Sequence, residues 1–315
     1  MQTLLQILFG LAGLAFLSYG ADFLVKGGVF IAAALKIRPV VIGLTLVAFA
    51  TSAPELVVSI DAALKGVGDV SAGNVIGSNI CNIALILGVA AAISPMAVRP
   101  SLLRRDVPVM LLATFALAAC LLLFGGVGRL PAAIFLACLV IYLWWTVRNS
   151  GNAQPDEEAL PDKRLSMAKA VLLVVIGLAG LVGGAKLFVN AAIYLARLCH
   201  ISEAVIGLTV VALGTSLPEL ATSAVASFRH QNDIAIGNVI GSNIFNVLAI
   251  LGIAPLIAPI SAPGISLVDV AVVCALSLEL LALMCLPKRR LGRAAGLLLL
   301  AEYAAYVAWL ARGLW

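Results

Sequence analysis

Charge is scarce in this chain. Only 11% of its 315 residues are Asp, Glu, Lys or Arg, and 63% are hydrophobic. A soluble domain carries roughly a quarter charged residues. A single water-facing globule is therefore excluded, and lipid must cover most of the apolar surface. Histidine occurs twice. The six cysteines (Cys81, Cys120, Cys138, Cys199, Cys274 and Cys285) lie in or at the ends of apolar segments without a CxxC pair. That spacing argues against a metal–thiolate site or a disulfide framework. The net charge of +5 is scattered through short loops, with no basic patch interleaved with aromatics, so nucleic acid is not an expected partner. No HExxH, no GxSxG and no paired-Asp motif lies within the apolar runs, so no enzyme is expected. The opening MQTLLQILFG has no basic residue ahead of its apolar run. It reads as a first membrane helix rather than a cleaved signal peptide.

What the chain does have is length of apolar run. Such runs fall near residues 3–34, 39–63, 70–95, 104–124, 131–148, 165–199, 204–228, 234–259, 265–286 and 292–312. A span needs about 20 residues at about 1.5 Å each, so the runs predict ten transmembrane helices. The first and sixth exceed one span and are expected to tilt or to project beyond the bilayer. Residues 149–164, NSGNAQPDEEALPDKR, form the one clearly polar connector. It divides the chain into an N-terminal five-helix repeat (1–148) and a C-terminal five-helix repeat (165–315). The predicted fold class is an all-α membrane protein of ten transmembrane helices in two inverted five-helix repeats. Inversion follows from parity, because an odd number of spans returns the second copy from the opposite side.

Loop charges test that count. Of the 20 Lys and Arg, 14 lie on one side, in loops near residues 36–38, 99–105, 148–169, 229 and 288–293. Four lie on the other side, at Lys65, Arg129, Arg197 and Arg312, and Lys26 and Lys186 fall inside runs. The bias makes the first side cytoplasmic. Both termini are then expected outside and the 149–164 linker in the cytoplasm.

A duplication supplies the chemistry. VIGLTLVAFATSAPEL (41–56) returns as VIGLTVVALGTSLPEL (205–220), and GNVIGSN returns at 73–79 and 237–243, at a constant shift of 164 residues. Residues 41–88 and 205–252 share 27 identities in 48 positions without a gap. Each copy sets a carboxylate, Glu55 or Glu219, inside an apolar run, where a charge costs about 2.5–3.5 kcal/mol or more. Thr51 and Ser52 lie one turn before Glu55, and Thr215 and Ser216 one turn before Glu219, on shared helix faces. Pro54 and Pro218 lack an N–H, so the carbonyls of Ala50 and Gly214 lose their helical partners. Freed backbone oxygens inside a membrane need another partner, and a cation can serve. In the third and eighth runs Ser78 with Asn82, and Ser242 with Asn246, project neutral oxygens at i, i+4. Gly73 with Gly77, and Gly237 with Gly241, have the GxxxG spacing that lets helices approach.

A lone membrane serine usually bonds back to its own preceding turn, and a lone GxxxG usually serves packing. Here all these features recur together at one shift. The inventory holds only oxygen ligands, without histidine or thiol. Such a set suits hard cations such as Ca²⁺ and Na⁺ and argues against Zn²⁺ or Cu⁺, while Mn²⁺ fits it also. The other charges read differently. Asp22 is expected to pair with Lys26 one turn on, Lys186 to snorkel, and Glu279 and Glu302 to face a cleft, a partner or the interface. His200 and His230 fall at predicted loops, solvated.

ATSAPEL and GNVIGSNICN in the first half, with GTSLPEL and GNVIGSNIFN in the second, resemble the two α-repeats of the cation/calcium exchanger superfamily. The likeness is close to its prokaryotic sodium/calcium exchanger-like branch. GADFLVKGG (20–28) and the ten-run layout extend the likeness over nearly the whole chain. The resemblance implies a secondary active antiporter exchanging Ca²⁺ for Na⁺ by alternating access in a bacterial inner (plasma) membrane. The long first and sixth helices would slide against a bundle of the second, third, seventh and eighth. It implies that Glu55, Glu219 and the carbonyls of Thr51 and Thr215 bind Ca²⁺. Ser52, Ser78, Ser216, Ser242 and carbonyls near Ala48 and Ala212 would bind Na⁺, and Asn82 and Asn246 would line the middle. Protons are expected to compete for the carboxylates, so that transport falls on acidification. No cofactor and no protein partner is implied beyond the lipid bilayer and the transported ions. Asn246 stands where some relatives carry Asp, which argues against K⁺ cotransport. Ala50 stands where the family usually has Gly. The GNAxE-like core of proton-coupled relatives is absent. A Ca²⁺/H⁺ or other divalent-cation antiporter, and a cation channel, are the alternative readings of the same carboxylates.

Overall fold

The computed structural model describes residues 2–149, 165–199, 212–286 and 289–312. Helix α1 runs Gln2–Ala34. Helices α2 (Pro39–Thr51) and α3 (Ala53–Leu64) meet at a 45° bend, and α4 (Gly68–Ile93), α5 (Leu102–Phe124) and α6 (Arg129–Arg148) complete the first half. The second half holds α7 (Met167–Leu198), α8 (Ala212–Thr215), α9 (Leu217–Phe228), α10 (Asn232–Ile257), α11 (Leu267–Met284) and α12 (Arg293–Arg312). Among the described residues, eight helices are long and apolar enough to cross a membrane, and the bent pair α2–α3 makes a ninth. The connector from residue 150 onward, His200 and the first part of the seventh run, to residue 211, lie outside the described residues.

Burial sorts the helices into two classes. The apolar windows of α4 and α10 are 72% and 83% buried inside the protein, against 22% for α1, 28% for α7 and 11% for α12. The duplicated GNVIGSN segments therefore form the centre, and the outer helices face lipid. Close approach explains part of this. A Cβ built on Gly237 would stand 2.7 Å from the Val40 carbonyl oxygen, and one on Gly241 2.8 Å from that of Leu44. The GxxxG of α10 thus lets α2 pack on its backbone, as the spacing predicts. Gly73 and Gly77 make no comparable contact among the described residues.

The sequence reading passed over a second set of glycines. Gly13, Gly20 and Gly27 recur every seven residues on α1, as do Ala170, Gly177 and Gly184 on α7. The two helices run antiparallel and meet at these residues. A Cβ on Gly20 would lie 2.7 Å from the carbonyl oxygen of Gly177, one on Gly13 2.8 Å from that of Gly184, and one on Gly27 2.7 Å from that of Ala170. A seven-residue repeat keeps one face of each helix on its partner.

Short strands join the halves. β1 (Met96–Ala97) pairs antiparallel with β4 (Arg290–Leu291), and β2 (Gly126–Val127) pairs with β3 (Ile260–Ser261). The pair Met96–Leu291 becomes Ile260–Val127 when the halves exchange under the 164-residue shift. β1 and β2 flank α5, so the two ladders lie at its opposite ends. Two further contacts recur with one partner at the 164-residue shift and the other one residue away from it. Asp233 pairs with Arg99 at 2.6 Å, and Asp69 accepts from the Gly264 amide at 2.7 Å. Tyr142 donates to buried Asp106 at 3.1 Å, and Tyr306 to Asp269 at 2.7 Å.

The scattered charges find partners. Asp22 pairs with Lys26 at 2.7 Å, as the spacing predicts, and also with Arg229 at the end of α9. Glu302 and Glu279 meet each other between α12 and α11. His230 is exposed just beyond α9 with a φ of 57°, where the first half has Gly66 at 72°.

Candidate cation site

Both polar breaks lie at serine. Ser52 (φ −81°, ψ 4°) separates α2 from α3, and Ser216 (φ −89°, ψ 3°) separates α8 from α9. Pro54 and Pro218 then occupy the first turns of α3 and α9, where a missing N–H costs least. The break thus falls two residues before each proline. It leaves Glu55 and Glu219 in the first turn of a helix, near its positive dipole end.

The halves then exchange hydrogen bonds crosswise. Ser52 Oγ donates to Glu219 Oε1 at 3.0 Å, and Ser216 Oγ lies 3.3 Å from Glu55 Oε1. Ser78 Oγ on α4 lies 3.4 Å from Ser216 Oγ. Thr215 also reaches the Glu55 carboxylate. Each carboxylate is thus held by hydroxyls of the other repeat. Glu55 and Glu219 are both 1% exposed. Thr51, Ser52, Ser78, Asn82, Ser216, Ser242 and Asn246 are buried as well.

The unpaired atoms are the more telling set. Glu55 Oε2, Glu219 Oε2, Ser242 Oγ, Asn246 Oδ1 and both polar atoms of Asn82 are buried without a hydrogen-bond partner. Buried polar atoms are nearly always paired. Two carboxylate oxygens, a hydroxyl and amide oxygens left over in duplicated segments form an oxygen donor set that fits a hard cation as substrate. Ser242 and Asn82 stand outside the crosswise hydrogen-bonded group, while Asn246 joins its neighbour Asn79 at 2.9 Å. The Ala48 carbonyl, expected as a ligand, already accepts from Ser52 N at 3.0 Å and from Thr51 Oγ1 at 3.3 Å. Thr51 Oγ1 has a second acceptor in Asn238 Oδ1 at 3.2 Å. Ala212 opens α8.

Sequence reasoning missed two supports. Asn74 Nδ2 donates to the Glu55 carbonyl at 3.1 Å and to Ser59 at 2.9 Å. Asn238 Nδ2 repeats this toward the Glu219 carbonyl at 3.5 Å and Ser223 at 2.9 Å. Both asparagines belong to the repeated GNVIGSN, so the signal was present without its partner. Cys81, outside the oxygen ligand set, lies against Ser216 and Tyr303 at the edge of the carboxylate pair. Its counterpart in the second repeat is Phe245, which packs on Phe49 with ring centroids 5.7 Å apart. The site is pseudo-symmetric rather than symmetric.

The sodium/calcium exchanger protein family matches residues 5–148 and 169–312. The chain belongs to this family. It is therefore an integral membrane protein of an ion-exchanger family, not of an enzyme family. Among individual relatives, the sodium/calcium exchanger MaX1 of Methanosarcina acetivorans is 36% identical over 310 residues, covering 86% of this chain and 89% of the relative. The inner membrane protein YrbG of Escherichia coli is 35% identical over 322 residues, covering 97% of this chain and 95% of the relative. In architecture the chain is similar to a solved structure of the sodium–calcium exchanger NCX_Mj soaked with Na⁺ and Ca²⁺. The TM-score is 0.84 at 37% identity, over 96% of this chain and 98% of that one.

Proposed function

We propose that this protein exchanges Ca²⁺ for Na⁺ across its membrane by alternating access, at one site that Glu55 and Glu219 share. The observation that carries this reading is the crosswise pairing of Ser52 with Glu219 and Ser216 with Glu55, which leaves one oxygen of each carboxylate unpaired. Ca²⁺ takes those two oxygens and the carbonyls of Thr51 and Thr215. Na⁺ ions take Ser52, Ser78, Ser216, Ser242 and the carbonyls of Ala48 and Ala212. The Ala48 carbonyl becomes available when the Thr51 hydroxyl turns to Asn238. Asn82 and Asn246 line the middle of the site.

Exchange rather than leak follows from charge. An empty site leaves two carboxylates facing each other in a low-dielectric interior, and a loaded site is neutralised. Movement of the site is cheaper when it is loaded, and the two cations compete because they use the same carboxylates. The reading includes ten spanning helices in two inverted halves, 1–148 and 165–315, with a cytoplasmic linker and both termini outside. The strand ladders at opposite ends of α5, exchanged by the repeat shift, support the inversion.

The test is ⁴⁵Ca²⁺ uptake into proteoliposomes under an imposed outward Na⁺ gradient. Uptake that follows the gradient is expected. Uptake driven by a pH step without Na⁺, and indifferent to a Na⁺ gradient, would replace sodium coupling with proton coupling. The same assay with competing Mn²⁺ defines the divalent substrate.

A further inference from the structure

Two asparagines per repeat lie at the centre of the molecule: Asn79 and Asn82 on α4, and Asn243 and Asn246 on α10. All four are 1% exposed. The repeat shift makes Asn79 equivalent to Asn243 and Asn82 to Asn246, yet their hydrogen bonds break that equivalence. Asn79 Nδ2 donates to the backbone carbonyl of Asn243 at 3.4 Å. Asn246 Nδ2 donates to Asn79 Oδ1 at 2.9 Å. Asn243, which symmetry would turn toward Asn82, instead donates to Val239 O in its own helix at 2.7 Å. Asn82 is left with neither amide atom paired.

Hydrogen-bond chemistry fixes the sense of this chain. A backbone carbonyl only accepts, so Asn79 must turn its Nδ2 to Asn243 O. Its Oδ1 then faces Asn246 and can only accept. Asn246 must therefore offer Nδ2, and its Oδ1 is left unpaired and buried. A flip of either amide would set donor against donor or acceptor against acceptor.

We infer that Asn79 is a positioning residue, which locks the Asn246 amide so that its oxygen is presented to the transported cation, while Asn82 has no such clamp and adapts its amide to whichever ion is bound. This rests on the exchange reading above and deepens it. The two middle ligands are then unequal: one is a fixed oxygen donor and the other a rotor. A fixed oxygen is preorganised for a cation and loses no orientation on binding. Nothing in the sequence separates Asn79 from Asn243, since both stand in GSN. The difference arises only from which backbone carbonyl each amide meets.

The experiment is a double-mutant cycle on Na⁺-driven ⁴⁵Ca²⁺ uptake in proteoliposomes, with purified Asn79→Ala, Asn246→Ala, the double variant and Asn243→Ala. Asn79→Ala is expected to raise the half-saturating cation concentration about three- to tenfold, the worth of one hydrogen bond, with the maximal rate within about twofold. The double variant is expected to match Asn246→Ala, because Asn79 acts through Asn246. Asn243→Ala is expected to behave as wild type. Asn79→Leu keeps the branched side-chain shape without donor or acceptor, so it is expected to show the same rise in half-saturation where the alanine variant fails to fold. Additive losses in the double variant, equal losses at Asn79 and Asn243, or wild-type half-saturation in Asn79→Leu overturn the inference. Impaired Asn246→Ala with unimpaired Asn79→Ala sinks this inference alone. Wild-type kinetics in Asn246→Ala likewise sinks this inference alone, whereas wild-type protein without sodium-driven uptake sinks the exchange reading itself.

Discussion

At the scale of the residue, the chemistry rests on two buried acids whose partners lie in the opposite half of the chain. Glu55→Gln and Glu219→Gln keep the side-chain shape and an oxygen for the crosswise serine, but remove the charge. Each is expected to lower Ca²⁺ transport by on the order of a hundredfold, since a hydrogen bond or contact to a charged group is worth about 1.5–3 kcal/mol. The proteins are expected to stay folded, because the change removes a buried charge rather than creating one. Flux in proteoliposomes, read beside size-exclusion profiles of the purified variants, checks both halves of the statement. Wild-type flux in either variant would remove that carboxylate from the site. The acids, hydroxyls and amides were legible in the sequence because burial of charge in an apolar run is costly and the motif occurs twice. The crosswise pairing was not legible. Ser52 and Glu219 are 167 residues apart, and no local pattern states which repeat a hydroxyl will serve. Asn74 and Asn238 were hidden for the same reason, since each holds a carbonyl 19 residues away.

At the scale of the element, glycine spacing decides which helices touch by their backbones. The GxxxG spacing predicts close approach in both repeats; on α10 the pair meets α2, whereas Gly73 and Gly77 on α4 make no comparable contact among the described residues. The longer seven-residue spacing on α1 and α7 carried the same information at a different period, and it gains meaning only when the partner helix is known. Helices of 33 and 32 residues are about 50 Å long, against a hydrocarbon core of about 30 Å, so tilt or overhang is built in. Their backbones can remain in contact only while the seam stays free of side chains. Gly20→Val would push a branched side chain against Gly177 O and Leu181 N, which already lie 2.7 and 2.8 Å from an added Cβ. Overpacking of this kind costs about 1–3 kcal/mol. Thermal unfolding of the purified protein in detergent is expected to show a lower Tm for Gly20→Val. Gly183→Val, at an α7 position with nothing within 4 Å, is expected to leave Tm unchanged. Equal Tm values for the two variants would show that the seam is not a tight contact. The helix breaks were legible from proline, though their position was displaced, because proline is accommodated in the first turn of the following helix and the bend passes to the serine before it.

At the scale of the whole molecule, the duplication is visible in sequence, in paired strands and in paired asparagines, and so are its deviations. The strand ladders were not legible: two-residue strands have no period to detect, and their partners come from the other half. Charge shows the clearest deviation. Asp22 on α1 reaches Arg229 at the end of α9, tying an outer helix to the central ones. Under the 164-residue shift Asp22 becomes Lys186 and Arg229 becomes Lys65. The pair is therefore attractive at one end of the molecule and would be repulsive at the other, where Lys65 instead pairs with Asp61 on its own helix at 2.6 Å. In an inverted repeat, exchanging the roles of the halves exchanges the open side of the site. The conformation that joins Asp22 to Arg229 is thus favoured over its mirror, which would bring Lys186 toward Lys65. The predicted bias is modest, about 0.2–1 kcal/mol for a partly exposed pair, or a shift in population of at most about fivefold. Asp22→Asn is expected to weaken the bias, and Lys186→Asp, which makes the second pair attractive like the first, is expected to cancel it. Spin labels at the ends of α1 and α9, read by electron–electron distance distributions in lipid nanodiscs, measure the populations directly. Distributions that stay identical across wild type and both variants would mean that these four charges hold no part of the equilibrium between the two faces.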